Sequence, residues 1–167
     1  MTKILSATLA AAVLAAGVAQ AVTTTTTTFA VTATLQPTCS ATATALPFGA
    51  YTPGAGALAS NSTISVKCTK NTPYTVALNA GTTVGGAFAQ RLMAAGANTL
   101  QYNLYTSAAF TTVFGDGNLS TATSAGIGAG VATANTVTVF GQLPDSAANQ
   151  AAVPGSYSDT ITVTVSY

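Results

Sequence analysis

The stretch Ser156–Tyr167 reads Ser-Tyr-Ser-Asp-Thr-Ile-Thr-Val-Thr-Val-Ser-Tyr. Ile161, Val163, Val165 and Tyr167 fall on one side of it, and Thr160, Thr162, Thr164 and Ser166 on the other. Successive side chains leave a strand on opposite faces, so this alternation predicts a strand with one face buried and one in water. The β-branched Thr and Val suit it. The same period of two recurs upstream. Ser62–Thr69 aligns Ile64, Val66 and Cys68, and Pro73–Asn79 aligns Tyr74, Val76 and Leu78. The Lys70-Asn71-Thr72 link between them is the size of a hairpin. Leu100–Tyr105 aligns Leu100, Tyr102 and Leu104, and Thr136–Gly141 offers Val137 and Val139. Nearer the N-terminus, Phe29, Val31, Ala33 and Leu35 alternate with Ala30, Thr32 and Thr34 before Pro37 closes the segment. Leu46–Gly56 is rich in turn residues, Pro53-Gly54 among them. Short strands at this spacing, with no helical stripe outside the first segment, predict an all-β antiparallel sandwich.

Composition narrows the function. The chain has 167 residues, of which 49% are apolar, enough for one domain with its own core. Its charged residues are Lys3, Lys67, Lys70, Arg91, Asp116, Asp145 and Asp159. Nucleic acid is excluded as a partner, because a phosphate backbone must be met by clustered Lys and Arg. His, Glu and Trp are absent, which removes the commonest general base and metal ligand. The three Asp lie among Gly, Ser and Pro, a turn context. The chain is therefore expected not to be an enzyme and to carry no metal or small-molecule cofactor. Gly126-Ile-Gly-Ala-Gly130 lacks the Lys that follows a phosphate loop and reads as a flexible loop.

Residues 1–21 carry an early cation at Lys3, an apolar run, and Ala19 and Ala21 flanking Gln20. That is the pattern of a secretory signal with its cleavage site, so the exported chain is expected to begin at Val22. In an oxidising compartment an isolated pair of cysteines, Cys39 and Cys68, is expected to form a disulfide. Six threonines, Thr23–Thr28, precede Phe29; the tract reads either as a solvated linker or as an extension of the alternating segment. A sandwich whose terminal strand is uncharged presents an unguarded edge. A β-prone arm on the same chain offers a remedy, in which the arm of one molecule completes the sheet of the next. Such head-to-tail addition does not close and builds a filament.

Four stretches carry a family resemblance: Leu100-Gln-Tyr-Asn-Leu-Tyr-Thr106, Val113-Phe-Gly-Asp-Gly117, Phe140-Gly-Gln-Leu-Pro144 and Val153–Tyr167. Together with Cys39 and Cys68, the chain from Val22 onward resembles the spore coat protein U domain family, whose best-understood members are subunits of archaic, Csu-type chaperone-usher pili. Phe114 stands where many relatives have Trp, a difference that bears on the core. The resemblance implies an immunoglobulin-like β-sandwich lacking its final strand, with 1–21 as signal, 22–35 as a donor-strand extension and 36–167 as the pilin-like domain. Phe29, Val31, Ala33 and Leu35 would be the donor residues, with Phe29 and Val31 as plugs; Ala33 and Leu35 could instead belong to the subunit's own first strand. Ile161, Val163, Val165 and Tyr167 would line or flank the acceptor groove. The implied partners are a periplasmic chaperone, an outer-membrane usher and identical or homologous subunits. The implied location is a fimbrium on the cell surface, with roles in adhesion and biofilm formation.

Other readings compete. A non-pilus coat protein of the same family would share every residue feature. A sugar-binding tip adhesin would want more length, and its site would favour Trp. An outer-membrane β-barrel would also end in an alternating strand with an aromatic residue, and eight strands of about ten residues would fit the length.

Overall fold

The computed structural model describes residues 20–167, so the expected signal lies outside the described residues apart from Gln20 and Ala21. The chain divides into two units, Met1–Thr34 and Leu35–Tyr167. In the first, the described residues form no strand and are exposed. The expected strand over Phe29–Leu35 is therefore not present as such, and Leu35 belongs to no strand either. An alternating segment becomes a strand only when a neighbouring edge supplies hydrogen bonds.

The second unit is an immunoglobulin-like antiparallel β-sandwich. Its strands are β1 (Cys39–Ala43), β2 (Leu58–Cys68), β3 (Pro73–Leu78), β4 (Arg91–Ala95), β5 (Asn98–Tyr105), β6 (Ser124–Ile127), β7 (Asn135–Leu143) and β8 (Val163–Ser166). One short helix, α1 (Ala147–Gln150), is capped by the Ser146 side chain. The first sheet runs β1-β2-β7-β5-β4 and the second β6-β3-β8. These are two open sheets rather than the single closed cylinder of the barrel reading.

The buried faces match the alternation in the sequence. Ile64 and Val66 of β2, Tyr102 and Leu104 of β5 and Val139 of β7 meet Tyr74, Val76 and Leu78 of β3 across the interior, with Phe114 among them. Phe114 is fully buried, so the aromatic core position is filled without Trp. Ile161, Val163 and Val165 pack against this core, half-buried.

Three expectations need correction. Lys70-Asn71-Thr72 is no hairpin link, because β2 and β3 lie in different sheets. The chain instead crosses the sandwich in a tight turn, with Thr72 N–H donating to Thr69 O and Asn71 in the left-handed region at φ 62°. Gly126-Ile-Gly-Ala-Gly130 is not wholly a loop, since Gly126 and Ile127 belong to β6, paired with Pro73 and Tyr74. Gly128 then crosses so close to the end of β2 that a Cβ there would sit 2.2 Å from Thr69 O. Finally, the subunit's own first strand starts at Cys39, after Ala33 and Leu35.

Arg91 on β4 is a fully buried cation. Its guanidinium donates to Asn79 O at 2.7 and 3.1 Å, to Phe114 O at 2.7 Å and to Asn103 Oδ1 at 2.7 Å. Asn103 in turn donates to Phe88 O and Ala89 O. Among the described residues no buried side-chain polar atom lacks a partner. That matters because an unpaired polar group in the interior costs more than a made hydrogen bond returns.

Cys39 and Cys68 form a disulfide across the first rung of the β1–β2 ladder. It closes a loop with a sequence separation of 29. Replacing both cysteines with Ala is expected to lower stability by about 3 kcal/mol on the loop-entropy model, read as a shift in the urea unfolding midpoint.

Candidate functional site

The site is built from two strand edges. Asn79 N–H donates to Thr162 O at 3.2 Å, and Thr162 N–H donates to Asn79 Oδ1 at 2.9 Å. Thr162 thus faces β3, and by the alternation of an antiparallel ladder so do Thr164 and Ser166, opposite Ala77 and Thr75. The backbone N–H and C=O groups of Ile161, Val163 and Val165 face the other way. Among the described residues no strand pairs with that outer edge. The same reasoning applies to β1. Thr44 N–H donates to Thr63 O, and Thr69 N–H donates to Thr38 O. The even-numbered residues therefore bond to β2, and the amides of Cys39, Ala41 and Ala43 point outward, again unmatched by any strand among the described residues.

The two edges are close in space and run in opposite directions. β1 and β8 are in contact. Cys39, Cys68, Pro73 and Ser166 lie at one end of the sandwich, here the disulfide end. At the other end the chain leaving β1 and the chain entering β8 open into a cleft of about 420 Å³. Its walls include Leu46, Phe48, Met93, Tyr102, Ile161 and Val163. Phe48 stands edge-on to Tyr102, ring centroids 6.0 Å apart.

A polar clamp fixes the rim. Ser158 exchanges backbone hydrogen bonds with Ala94 at 2.9 and 3.1 Å, tying the rim to the first sheet just before the chain enters the second. Asp159 Oδ1 accepts from the backbone N–H and the hydroxyl of both Thr82 and Thr83, at 2.9 to 3.1 Å. Its Oδ2 accepts from the Tyr102 hydroxyl at 2.6 Å. Gly81 permits this approach, since a Cβ there would lie 2.0 Å from Asp159 Oδ2. Burial pushes the Asp159 carboxyl up, yet the hydrogen bonds from Tyr102 and Thr82 and a further one at Thr160 together hold it below the usual carboxylate range. Burial, then the bond to Asp159, raises the Tyr102 phenol. Away from the cleft walls, the Leu46–Gly56 stretch has a similar anchor. Asp145 accepts from the Tyr51 hydroxyl and from the N–H groups of Gly54 and Gly56 at 3.1 and 2.9 Å. These bonds, that of Tyr51 foremost, bring its carboxyl down to about 2.

Of the residues singled out in the sequence, Ile161 and Val163 line the cleft. Val165 follows them along the edge, half-buried, and Tyr167 is 60% exposed. Phe29, Val31 and Leu35 are 86, 84 and 85% exposed, and Ala33 is exposed too. The sequence reading missed Leu46, Phe48, Met93, Tyr102 and Tyr157 as cleft walls. The apolar Leu46 and Phe48 around Pro47, in a stretch otherwise made for turns, were the available signal.

Three comparisons bear on this site. A family model described as the Spore Coat Protein U domain matches residues 25–164. No curated protein matches the chain. Among solved structures, the chain is similar to one in the crystal structure of the CsuC-CsuE chaperone-tip adhesion subunit pre-assembly complex from archaic chaperone-usher Csu pili of Acinetobacter baumannii. The two are 26% identical with a TM-score of 0.57, over 80% of this chain and 41% of that one, so this chain spans less than half of its length.

The clamp gives stability a defined pH dependence. A depressed carboxyl stabilises the fold fully above the unfolded aspartate value of about 3.9, and that contribution is lost as pH falls through the depressed one. Asp159→Asn is expected to lower the thermal midpoint at pH 7, and the gap to the parent protein should narrow as pH is taken below about 4. Calorimetry across that range checks it.

Proposed function

The chain belongs to the Spore Coat Protein U domain family, and from that premise we propose that it is an exported structural subunit of an archaic chaperone-usher pilus, polymerising by donor-strand complementation. One observation carries the reading: two edges, β1 and β8, that no strand among the described residues pairs, lead to an apolar cleft at one end, while the same chain bears an exposed alternating segment at Phe29–Leu35. We read 22–35 as the donor extension and 36–167 as the acceptor domain. Phe29, Val31, Ala33 and Leu35 are the inserting side chains, and Ile161, Val163, Val165 and Tyr167 mark the strand that receives them. A periplasmic chaperone occupies the edge first, an outer-membrane usher presents the subunit for assembly, and the next subunit's arm then replaces the chaperone. The finished fimbrium lies at the cell surface and serves adhesion and biofilm formation.

The energetics favour such an exchange. Burying Phe29, Val31 and Leu35 contributes roughly 5–9 kcal/mol gross. Each backbone bond to the open edge adds about 1 kcal/mol. Ordering the arm opposes these terms, and so does parting β1 from β8, which are in contact along the edge the arm would join. A structural rather than catalytic role also fits the carboxylates, each of which bonds amides of a loop: Asp116 at Asn118, Asp145 at Gly54 and Gly56, and Asp159 at Thr82 and Thr83.

Deleting residues 22–34 is expected to leave a folded domain that accepts an arm but cannot donate one. On gels of unboiled samples in SDS, the parent protein should run as a ladder of multimers and the deletion variant as a monomer. A ladder from the deletion variant would rule out this segment as the donor.

A further inference from the structure

Resting on the polymer reading above, we propose a side-chain contact between neighbouring copies besides the inserted arm. The disulfide end of one copy, bearing Lys67 and Lys70, seats against the cleft end of another, beside Asp145.

Charge is divided between the two ends of the sandwich. Lys67 precedes Cys68 at the end of β2, Lys70 lies in the turn that follows, and both are exposed. Asp145 follows β7 at the opposite end, where Leu143 pairs with Leu58. Asp159 stands on the rim of the cleft. Asp116 follows Gly115, whose carbonyl accepts from Leu78 at the cleft end of β3. Arg91 is fully buried, and its charge and that of Asp159 favour one another. That leaves two lysines at one end and Asp116 and Asp145 toward the other, each of these carboxylates bonded to neutral donors. β2, with 11 residues, holds the two ends roughly 30 Å apart. Screening in physiological salt acts over about 8 Å, so the lysines and Asp145 do not pair within one molecule.

Shape agrees with charge. At the disulfide end Gly128 N–H donates to Thr72 O and Gly130 N–H to Cys68 O, which sets Ile127 and Val131 beside the turn that carries Lys70. Ile127 is 63% and Val131 57% exposed, an apolar patch with cations at its border. At the cleft end a groove of about 560 Å³ is lined by Pro47, Tyr51, Pro53, Leu143, Val153 and Tyr157. Asp145 stands at its margin, bonded to Tyr51 and Gly54. An apolar prominence bordered by cations thus matches an apolar groove bordered by a carboxylate.

Two like ends brought together would set cation against cation or carboxylate against carboxylate, so charge selects unlike ends. Thr38, near the root of the arm, is bonded to Thr69 at the disulfide end, so an engaged arm brings this face to its neighbour. Surface ion pairs are weak alone, but a tether makes their formation intramolecular in effect. The contact sets how copies are angled on one another, and the arm holds them together.

Carbodiimide cross-linking of the assembled parent protein tests this, because the reagent joins an amine directly to a carboxylate in contact with it. Peptide mass spectrometry should recover Lys67 or Lys70 linked to Asp145, a pair too far apart within one copy to react. The yield should fall several-fold between about 0.05 M and about 0.5 M salt as screening tightens, while the ladder in unboiled SDS persists. Strongest linkage to Asp116 or Asp159, or a yield indifferent to salt, would overturn the contact. Multimers without any link from a lysine to Asp145 would overturn it too, leaving the polymer reading standing and the lysines to an acidic partner other than a copy. Absence of multimers in the unboiled parent would overturn both.

Discussion

The constraint on which the rest depends is the direction of the backbone amides along β8. Because Thr162, Thr164 and Ser166 spend their amides on β3, those of Ile161, Val163 and Val165 face outward, where no strand of the described chain meets them. β1 repeats the arrangement from the other sheet. An edge of this kind is normally blunted by Lys, Pro, a bulge or a covering element. Here β8 reads Val-Thr-Val-Ser, with none of them. Its half-buried side chains lean on the core, yet its outer backbone groups meet no strand among the described residues, which is the condition the proposed strand addition requires.

An open edge is useful only if its surroundings hold their shape. Two buried or half-buried polar centres do this. Arg91 draws together the end of β3, the Phe114 segment and, through Asn103, the Phe88–Ala89 turn. Asp159 draws the Thr82–Thr83 loop and Tyr102 onto the segment that leads into β8. Both centres are satisfied by several short bonds, the condition under which a buried polar group specifies a conformation instead of destabilising one. The rim is thus fixed from both sheets, through Ser158 on one side and β8 on the other.

How much of this was legible follows from side-chain size. β2, β3, β5, β7 and β8 announce themselves because large apolar residues alternate with Thr, Ser or Asn, and the core they predict is the core observed. β1, β4 and β6 read Cys-Ser-Ala-Thr-Ala, Arg-Leu-Met-Ala-Ala and Ser-Ala-Gly-Ile, and short runs in which large apolar residues do not alternate with polar ones give no period to detect. The β2–β3 link looked like a hairpin because its length fits one, whereas sheet membership is decided by tertiary packing that three residues do not encode. Asp159 looked like a turn residue and does bind turn amides, but of a loop some 77 positions away. The cleft walls were hidden for the same reason, since Leu46 and Phe48 meet Tyr102 only after the sandwich closes.

The scarcity of charge belongs to the same physics. The polar face of β8, and Thr32 and Thr34 of the N-terminal segment, carry Thr and Ser, whose β-branched or small hydroxylated side chains keep strand propensity without like-charge repulsion across a new rung. Lys or Glu at Thr162 or Thr164 would help an ordinary edge by repelling further strands. Under the proposed assembly, in which a copy of the chain completes this edge, the same charge on donor and acceptor would stand against itself at every joint. A polymer built by repeated strand addition therefore favours a neutral face on both partners, which the proposed assembly would find in Ala30, Thr32 and Thr34 of the N-terminal segment and in Thr162, Thr164 and Ser166 of the terminal one.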